Sequence, residues 1–285
     1  MNHLLTAIPV IDTHLHLWDP LRLEYPWLEE FPGIHRPYLI TDYQQATAGV
    51  PISGMVFVQA ECRPDQCLQE IELVMQQAQA DDRIRGIVAY APLEQGRAVA
   101  TMLHELTGNP LVKGIRRMYD DDPRLCCSTG YLDALQLLPE YHLSLDISVK
   151  PHAIPHTINM IAACPDTPFI LDHLGKPDIR NNRLDDFKRN ADKLAAFPNL
   201  CAKLSGLITE AAHTGWTPEI LAPYIHHAFS CFGPERLLFG SDWPVLLLAG
   251  TYRQWLEALL QALSTCTPKE LTGLFHENAV RIYRL

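Results

Sequence analysis

Ile8-Pro9-Val10-Ile11-Asp12-Thr13-His14-Leu15-His16-Leu17-Trp18 opens as an apolar run and ends in a polar cluster. How it ends separates two architectures. An open parallel sheet that binds a nucleotide leaves its first strand through a glycine-rich turn that cradles phosphates. No GxGxxG follows here. Instead two histidines stand two residues apart, and on a strand that spacing puts both imidazoles on one face.

Outward from this stretch the same unit recurs. Short apolar runs occupy Ile8–Ile11, Met55–Ala60, Gly86–Ala91, Leu111–Ile115, Leu143–Val149, Phe169–Leu171, Leu200–Leu204 and Leu237–Phe239. Between them lie stretches with helical period, among them Gln66–Ala80, Gly96–Leu106, Gly130–Tyr141, Pro155–Ala163, Leu184–Phe197, Pro218–Cys231 and Tyr252–Leu263. In the first of these, Leu68, Ile71, Val74, Met75 and Ala78 mark an apolar helix face. Strands alternating with helices predict βαβ units and a parallel sheet. The expectation is therefore one domain over residues 1–285: an α/β chain forming a single (β/α)8 TIM-like barrel. A closing C-terminal helix over Pro268–Tyr283 would be capped by Thr267 with Pro268 at its first position. The proline-rich, aromatic segment Trp18–Tyr43 would be the first βα loop, on the catalytic face.

Composition agrees. The chain has 285 residues, 47% hydrophobic and 20% charged, which suits one barrel of about 250 residues with additions. The formal net charge is −10, and no basic run offers a footprint for nucleic acid or an anionic membrane surface. No apolar run reaches the roughly 20 residues needed to span a bilayer. Met1–Val10 lacks a basic and then apolar leader pattern, so no signal peptide is expected. Eight cysteines without a CxxC pair read as free thiols in a reducing cytoplasm.

The chemistry-bearing residues fall at strand ends. The sixth run ends in Leu171-Asp172-His173-Leu174-Gly175-Lys176-Pro177 and the eighth in Phe239-Gly240-Ser241-Asp242-Trp243-Pro244. In a barrel, His14, His16, His173 and Asp242 would meet at the mouth. Three imidazoles and a carboxylate suit Zn²⁺ or a similar ion, and Asp242 can also deprotonate a water. Gly240-Ser241-Asp242 is not a G-x-S-x-G elbow, and no cysteine has a local catalytic partner, which argues against covalent catalysis.

In these motifs, together with Val58-Gln59-Ala60, Val112-Lys113-Gly114-Ile115-Arg116 and Lys203-Leu204-Ser205-Gly206-Leu207, the chain resembles the amidohydrolase superfamily. The resemblance runs nearly end to end. It points to the amidohydrolase-related (amidohydrolase 2) group that contains sugar lactonases and 2-pyrone-4,6-dicarboxylate lactonase. It implies a barrel and hydrolysis at a carbonyl carbon, usually a lactone ester, with Asp242 as general base. The wider superfamily holds a divalent ion through the equivalents of His14, His16, His173 and Asp242. Some lactonases of the group work without one, the histidines polarising the carbonyl directly. Lys113 is too early in its strand to serve as a bridging lysine, so at most one ion, zinc or manganese, and no organic cofactor are expected.

Other residues have two readings each. Glu61 shares a face with Gln59 and is either a ligand or sugar contact, or a solvated carboxylate. Arg116 or Arg117 would reach a substrate carboxylate or carbonyl; the motif favours Arg116, whereas alternation along the strand leaves the face open. His152 after the fifth strand, Lys176 and Lys203 are substrate-binding candidates, with the lysines also able to pair with carboxylates such as Asp172. Trp18 and Trp243 follow candidate ligands and would form apolar walls or stack on a sugar. Glu210 and Trp216 are loop contacts. The partner expected is a small molecule, the lactone being a sugar-derived one, and a homo-oligomer is left open. A metal-dependent decarboxylase of an aromatic or conjugated acid is the alternative, and an inactive scaffold barrel is the non-enzymatic one.

Overall fold

Each of the eight apolar runs forms a strand. In the computed structural model, which describes residues 8–285, they are β1 (Val10–Leu15), β2 (Ile52–Val58), β3 (Ile84–Ala89), β4 (Val112–Arg116), β5 (Ser144–Ile147), β6 (Phe169–Leu171), β7 (Leu200–Leu204) and β8 (Leu237–Phe239). All pair in parallel, in chain order. A parallel bridge between Leu15 and Trp243 brings the two edges together, with the His16 amide 2.7 Å from the Trp243 carbonyl. The result is a TIM-like (β/α)8 barrel. Residues 1–7, most of the stretch Met1–Val10 in which no leader pattern is expected, lie outside the described residues.

Two apolar layers hold it. Ile11, Val56, Val58, Val88, Ile170 and Leu238 meet inside the barrel, with Ala279 and Tyr283 packed on them. The larger cluster lies between the strands and the surrounding helices and takes in Leu15, Phe57, Leu204 and Trp255. Asn278 donates to the carbonyl of Leu237, the first residue of β8, at 2.8 Å. The C-terminal segment therefore closes the end of the barrel where the strands begin, opposite the mouth.

Three local expectations change. The segment after Trp18 is not all loop: α1 (Ile40–Ala46) starts inside it, because Asp42 accepts the Leu39 amide at 3.0 Å and caps the turn. In α2 (Cys67–Ala80) the buried face is Cys67, Glu70, Leu73 and Val74, while Leu68 is exposed. The apolar pattern missed this because a charged residue, Glu70, takes a core position. The closing helix is broken into α10 (Pro268–Thr272), a π turn over Gly273–Glu277 and α11 (Asn278–Tyr283). Thr267 does cap its start, accepting the Glu270 amide. The other helices are α3 (Ala100–Thr107), α4 (Thr129–Leu135), α5 (Ile154–Ala163), α6 (Leu184–Ala195), α7 (Leu207–Glu210), α8 (Pro218–Phe232) and α9 (Tyr252–Ala262).

Candidate active site

β1 delivers two imidazoles to one point: His14 Nε2 and His16 Nε2 are 3.3 Å apart. The ring of His16 is fixed from behind, its Nδ1 donating to the Val58 carbonyl at 2.7 Å. That bond assigns the tautomer and leaves the Nε2 lone pair facing the mouth. His14 Nδ1 lies 3.1 Å from Asp172 Oδ1, which turns its Nε2 the same way.

His173 and Asp242 come from the ends of β6 and β8 on strained backbone. Both have positive φ, at 54° and 63°, as does Glu61 after β2, at 56°. A non-glycine residue there costs about 1–3 kcal/mol and persists where surrounding structure enforces it. For Asp242 the enforcement is visible: its amide donates to the His14 carbonyl at 2.7 Å. Asp12 fastens the same seam, accepting from the Ser241 amide at 2.8 Å and the Tyr43 hydroxyl at 2.9 Å. His173 Nδ1 is bonded to Ser205 Oγ at 2.9 Å. Gly206, with φ +65°, packs so closely that a Cβ there would lie 2.5 Å from His173 Nδ1; only glycine serves both the conformation and the space.

One carboxylate oxygen collects the three rings. Asp242 Oδ1 stands 3.4 Å from His16 Nε2, 3.7 Å from His14 Nε2 and 3.9 Å from His173 Nε2. Burial would push this carboxyl up, but His173, His16 and His14 pull it down to about 2. Burial drives His173 down to about 4 against the Asp242 and Asp172 charges, and takes His14 well below the usual imidazole range. The site thus presents an ionised Asp242 carboxylate beside neutral His14 and His173 rings. Each ring has its Nδ1 engaged and its Nε2 turned to Asp242. Lone pairs converging in a buried spot repel one another without a cation, and His14, His16 and Asp242 lie close enough together to share one divalent ion, with His173 Nε2 3.9 Å from Asp242 beside them.

Beneath His14 lies a fully buried ion network. Lys203 on β7 places Nζ 2.6 Å from Asp146 Oδ2, 3.0 Å from Asp172 Oδ1 and 3.2 Å from His14 Nδ1. Tyr283 of the C-terminal segment donates its hydroxyl to Asp146 Oδ2 at 2.6 Å. Arg116 NH1 adds a longer ion pair to Asp172 Oδ2, at 3.5 Å. Burial opposes ionisation of Asp172, but Lys203 and His14 hold its carboxyl well below the usual range.

The family model described as amidohydrolase matches residues 11–285. The chain belongs to the amidohydrolase family. Among curated relatives, the L-fucono-1,5-lactonase of Burkholderia multivorans is 29% identical over 96% of each chain. A crystal structure of an amidohydrolase from the same species, with bound zinc, superposes with a TM-score of 0.88 at 26% identity, covering 97% of this chain and 99% of that one. The 5-carboxyvanillate decarboxylase of Novosphingobium aromaticivorans, with bound manganese, gives a TM-score of 0.67 at 11% identity over 98% of each chain. That likeness shows the fold alone.

The other sequence candidates divide around this amidohydrolase centre. Arg116 points inward and is buried, donating to the Gln59 carbonyl, while Arg117 turns out to a two-bond pair with Glu94 at 3.0 Å. Glu61 is half-buried and bonded to the Gln59 side chain. Lys176, His152 and Glu210 line one cavity of about 470 Å³ over the ends of β5 to β7. Lys203 does not line it: the residue is sealed below His14. Trp18 and Trp243 are also fully buried, Trp18 stacked on His16 with centroids 6.3 Å apart and Trp243 set edge-on to Tyr38 and Tyr43. Trp18 thus walls His16, and Trp243 packs into the aromatic cluster beside it. Trp216 is tied to the Ala249 carbonyl at 2.7 Å, away from the cavity. Lys113 is half-buried toward Arg85 and Arg284.

Asp146, Tyr283 and Glu70 were missed. Asp146 sits mid-run in Leu145-Asp146-Ile147, and a charge inside an apolar strand is the signal that points to it. Tyr283 carries no local mark.

Proposed function

We propose that this protein is a hydrolase that opens a lactone ring by water activated at Asp242. The observation that carries the reading is the position of the Asp242 carboxylate, ionised and within 3.4–3.9 Å of three Nε2 atoms. The family and the lactonase relative support it. Asp242 takes a proton from water as the oxygen adds to the lactone carbonyl. Negative charge then develops on the carbonyl oxygen, and Arg116, whose guanidinium makes only a long 3.5 Å pair with Asp172, is the cation that would stabilise it. The protonated Asp242 returns its proton to the leaving alkoxide, which completes ring opening. A divalent ion held by His14, His16, His173 and Asp242, zinc or manganese, would polarise the carbonyl and acidify the water.

The substrate is a sugar-derived lactone in this reading, and the role is carbohydrate metabolism. Eight free cysteines with no disulfide fit a reducing cytoplasm. No described helix is long and apolar enough to cross a membrane. A pH-indicator screen of sugar and muconate-type lactones, with and without added Zn²⁺ or Mn²⁺, tests the reading. Acid release that disappears in Asp242→Asn is expected. CO₂ release from an aromatic acid with no lactone opened would give the site to a decarboxylase instead.

A further inference from the structure

The cavity over the ends of β5 to β7, which starts one residue beyond His173, holds two half-buried ionisable side chains without a protein partner. It is lined by Lys150, His152, Lys176, Asp178, Arg183 and Glu210, among others. Most of these are occupied. Arg183 pairs with Asp186 at 2.7 Å, Asp178 accepts from the Asn181 amide group at 2.9 and 3.0 Å, and His152 Nε2 lies 3.2 Å from the Asp120 carbonyl. Lys150 is exposed at the rim. Glu210 and Lys176 are half-buried, and among the described residues neither side chain has a hydrogen-bond or salt-bridge partner. Partly desolvated charges without partners are costly, and a ligand that bonds to them recovers the cost.

Both are tied to His173 by the chain. Lys176 follows His173 by three residues on the same left-handed turn. Glu210 ends α7, which begins at the glycine packed on the His173 ring. Burial pushes the Glu210 carboxyl up to about 7, against the Lys176 ammonium, and the Asp242 charge adds to the rise.

We propose that Glu210 and Lys176 form a hydroxyl-binding subsite next to Asp242, selecting an uncharged, polyhydroxylated lactone over one bearing a carboxylate. The proposal rests on the lactonase reading and adds the residues that choose the substrate. A sugar hydroxyl both donates and accepts, so it satisfies a carboxyl and an ammonium together. A substrate carboxylate can pair with Lys176 but finds no donor in ionised Glu210, which repels it, so it satisfies only half of the subsite. The volume, about 470 Å³, is in the range of small-molecule sites.

The experiment compares kcat/KM on a deoxyhexonolactone, on δ-valerolactone, which has no hydroxyl, and on a pyrone dicarboxylate lactone. The wild-type protein is expected to prefer the hydroxylated lactone over both others. In Glu210→Gln, Glu210→Ala and Lys176→Met the ratio of hydroxylated to unsubstituted lactone should fall by about tenfold or more, mainly through KM. Glu210→Lys should raise the ratio of dicarboxylate to hydroxylated lactone. A wild-type preference for the dicarboxylate lactone overturns the subsite while leaving the lactonase reading intact. So does an unchanged ratio, or an equal loss on all three substrates. Failure of the wild type to open any lactone overturns the lactonase reading itself.

Discussion

Lys203 Nζ lies 3.2 Å from His14 Nδ1, on the side of the imidazole turned away from the mouth. A residue on β7 therefore meets the first strand through the barrel interior, and the charge of a sealed lysine bears on a ring that faces the barrel mouth. The same ammonium touches Asp146 and Asp172. Lys203→Met would leave two buried carboxylates short of their cation, and breaking a buried pair from one side costs about 3–5 kcal/mol. Denaturant unfolding should show that loss together with loss of activity. Tyr283→Phe, which removes one hydrogen bond to Asp146 and leaves Lys203 in place, should cost about 1–3 kcal/mol.

Asp242→Asn keeps the shape and removes the base. Lactone hydrolysis should fall by at least about 10²-fold in kcat, with a thermal transition close to the wild type. Near-full activity would remove Asp242 from the role proposed for it.

The competent protonation state combines an ionised Asp242 with a neutral His173. Asp242 is lowered to about 2 and His173 to about 4, so this state is present above about pH 4 and is lost as the pH falls through it. The pH profile of kcat should show an acid limb there, measured in a range where unfolding is excluded by fluorescence.

Glu70 gives a stability signature of the opposite kind. Its carboxyl is buried, accepts the Ala60 amide at 3.0 Å, and is raised by burial from 4.5 to about 8. A raised acid binds its proton more tightly in the folded state. Its contribution is complete below the unfolded value of about 4.5 and is lost as the pH rises through about 8. Glu70→Gln keeps an acceptor for the Ala60 amide and carries no proton to lose. Its stability relative to wild type should rise between these limits, as followed by urea unfolding at several pH values.

Gly206→Ala places a methyl group against His173 and a side chain on left-handed backbone. Both stability and kcat should drop. A fully active variant would mean that His173 has room the structure does not show.

The order and type of every strand were legible in the chain, because each βαβ unit carries its own apolar run and its own helical period. His14, His16, His173 and Asp242 were legible too, since polar residues placed directly after apolar runs stand out along the sequence. The inward face of Arg116 and the outward face of Arg117 were not, because a strand offers both faces and only the closed sheet defines an interior. Trp18, Trp243 and Lys203 sit at the right strands, yet the barrel buries them beside or beneath the histidines.

The sequence by itself determined the eight-unit barrel and the strand ends that carry the candidate site, because periodicity and local residue type act over a few residues. The tertiary structure alone decided which groups touch. Lys203 reaches His14 across the barrel, Tyr283 enters from the far end to hold Asp146, and Glu210 is left facing the cavity without a partner. Those relations are set by closure of the sheet, which joins residues as much as 229 positions apart, and no local pattern encodes such a distance.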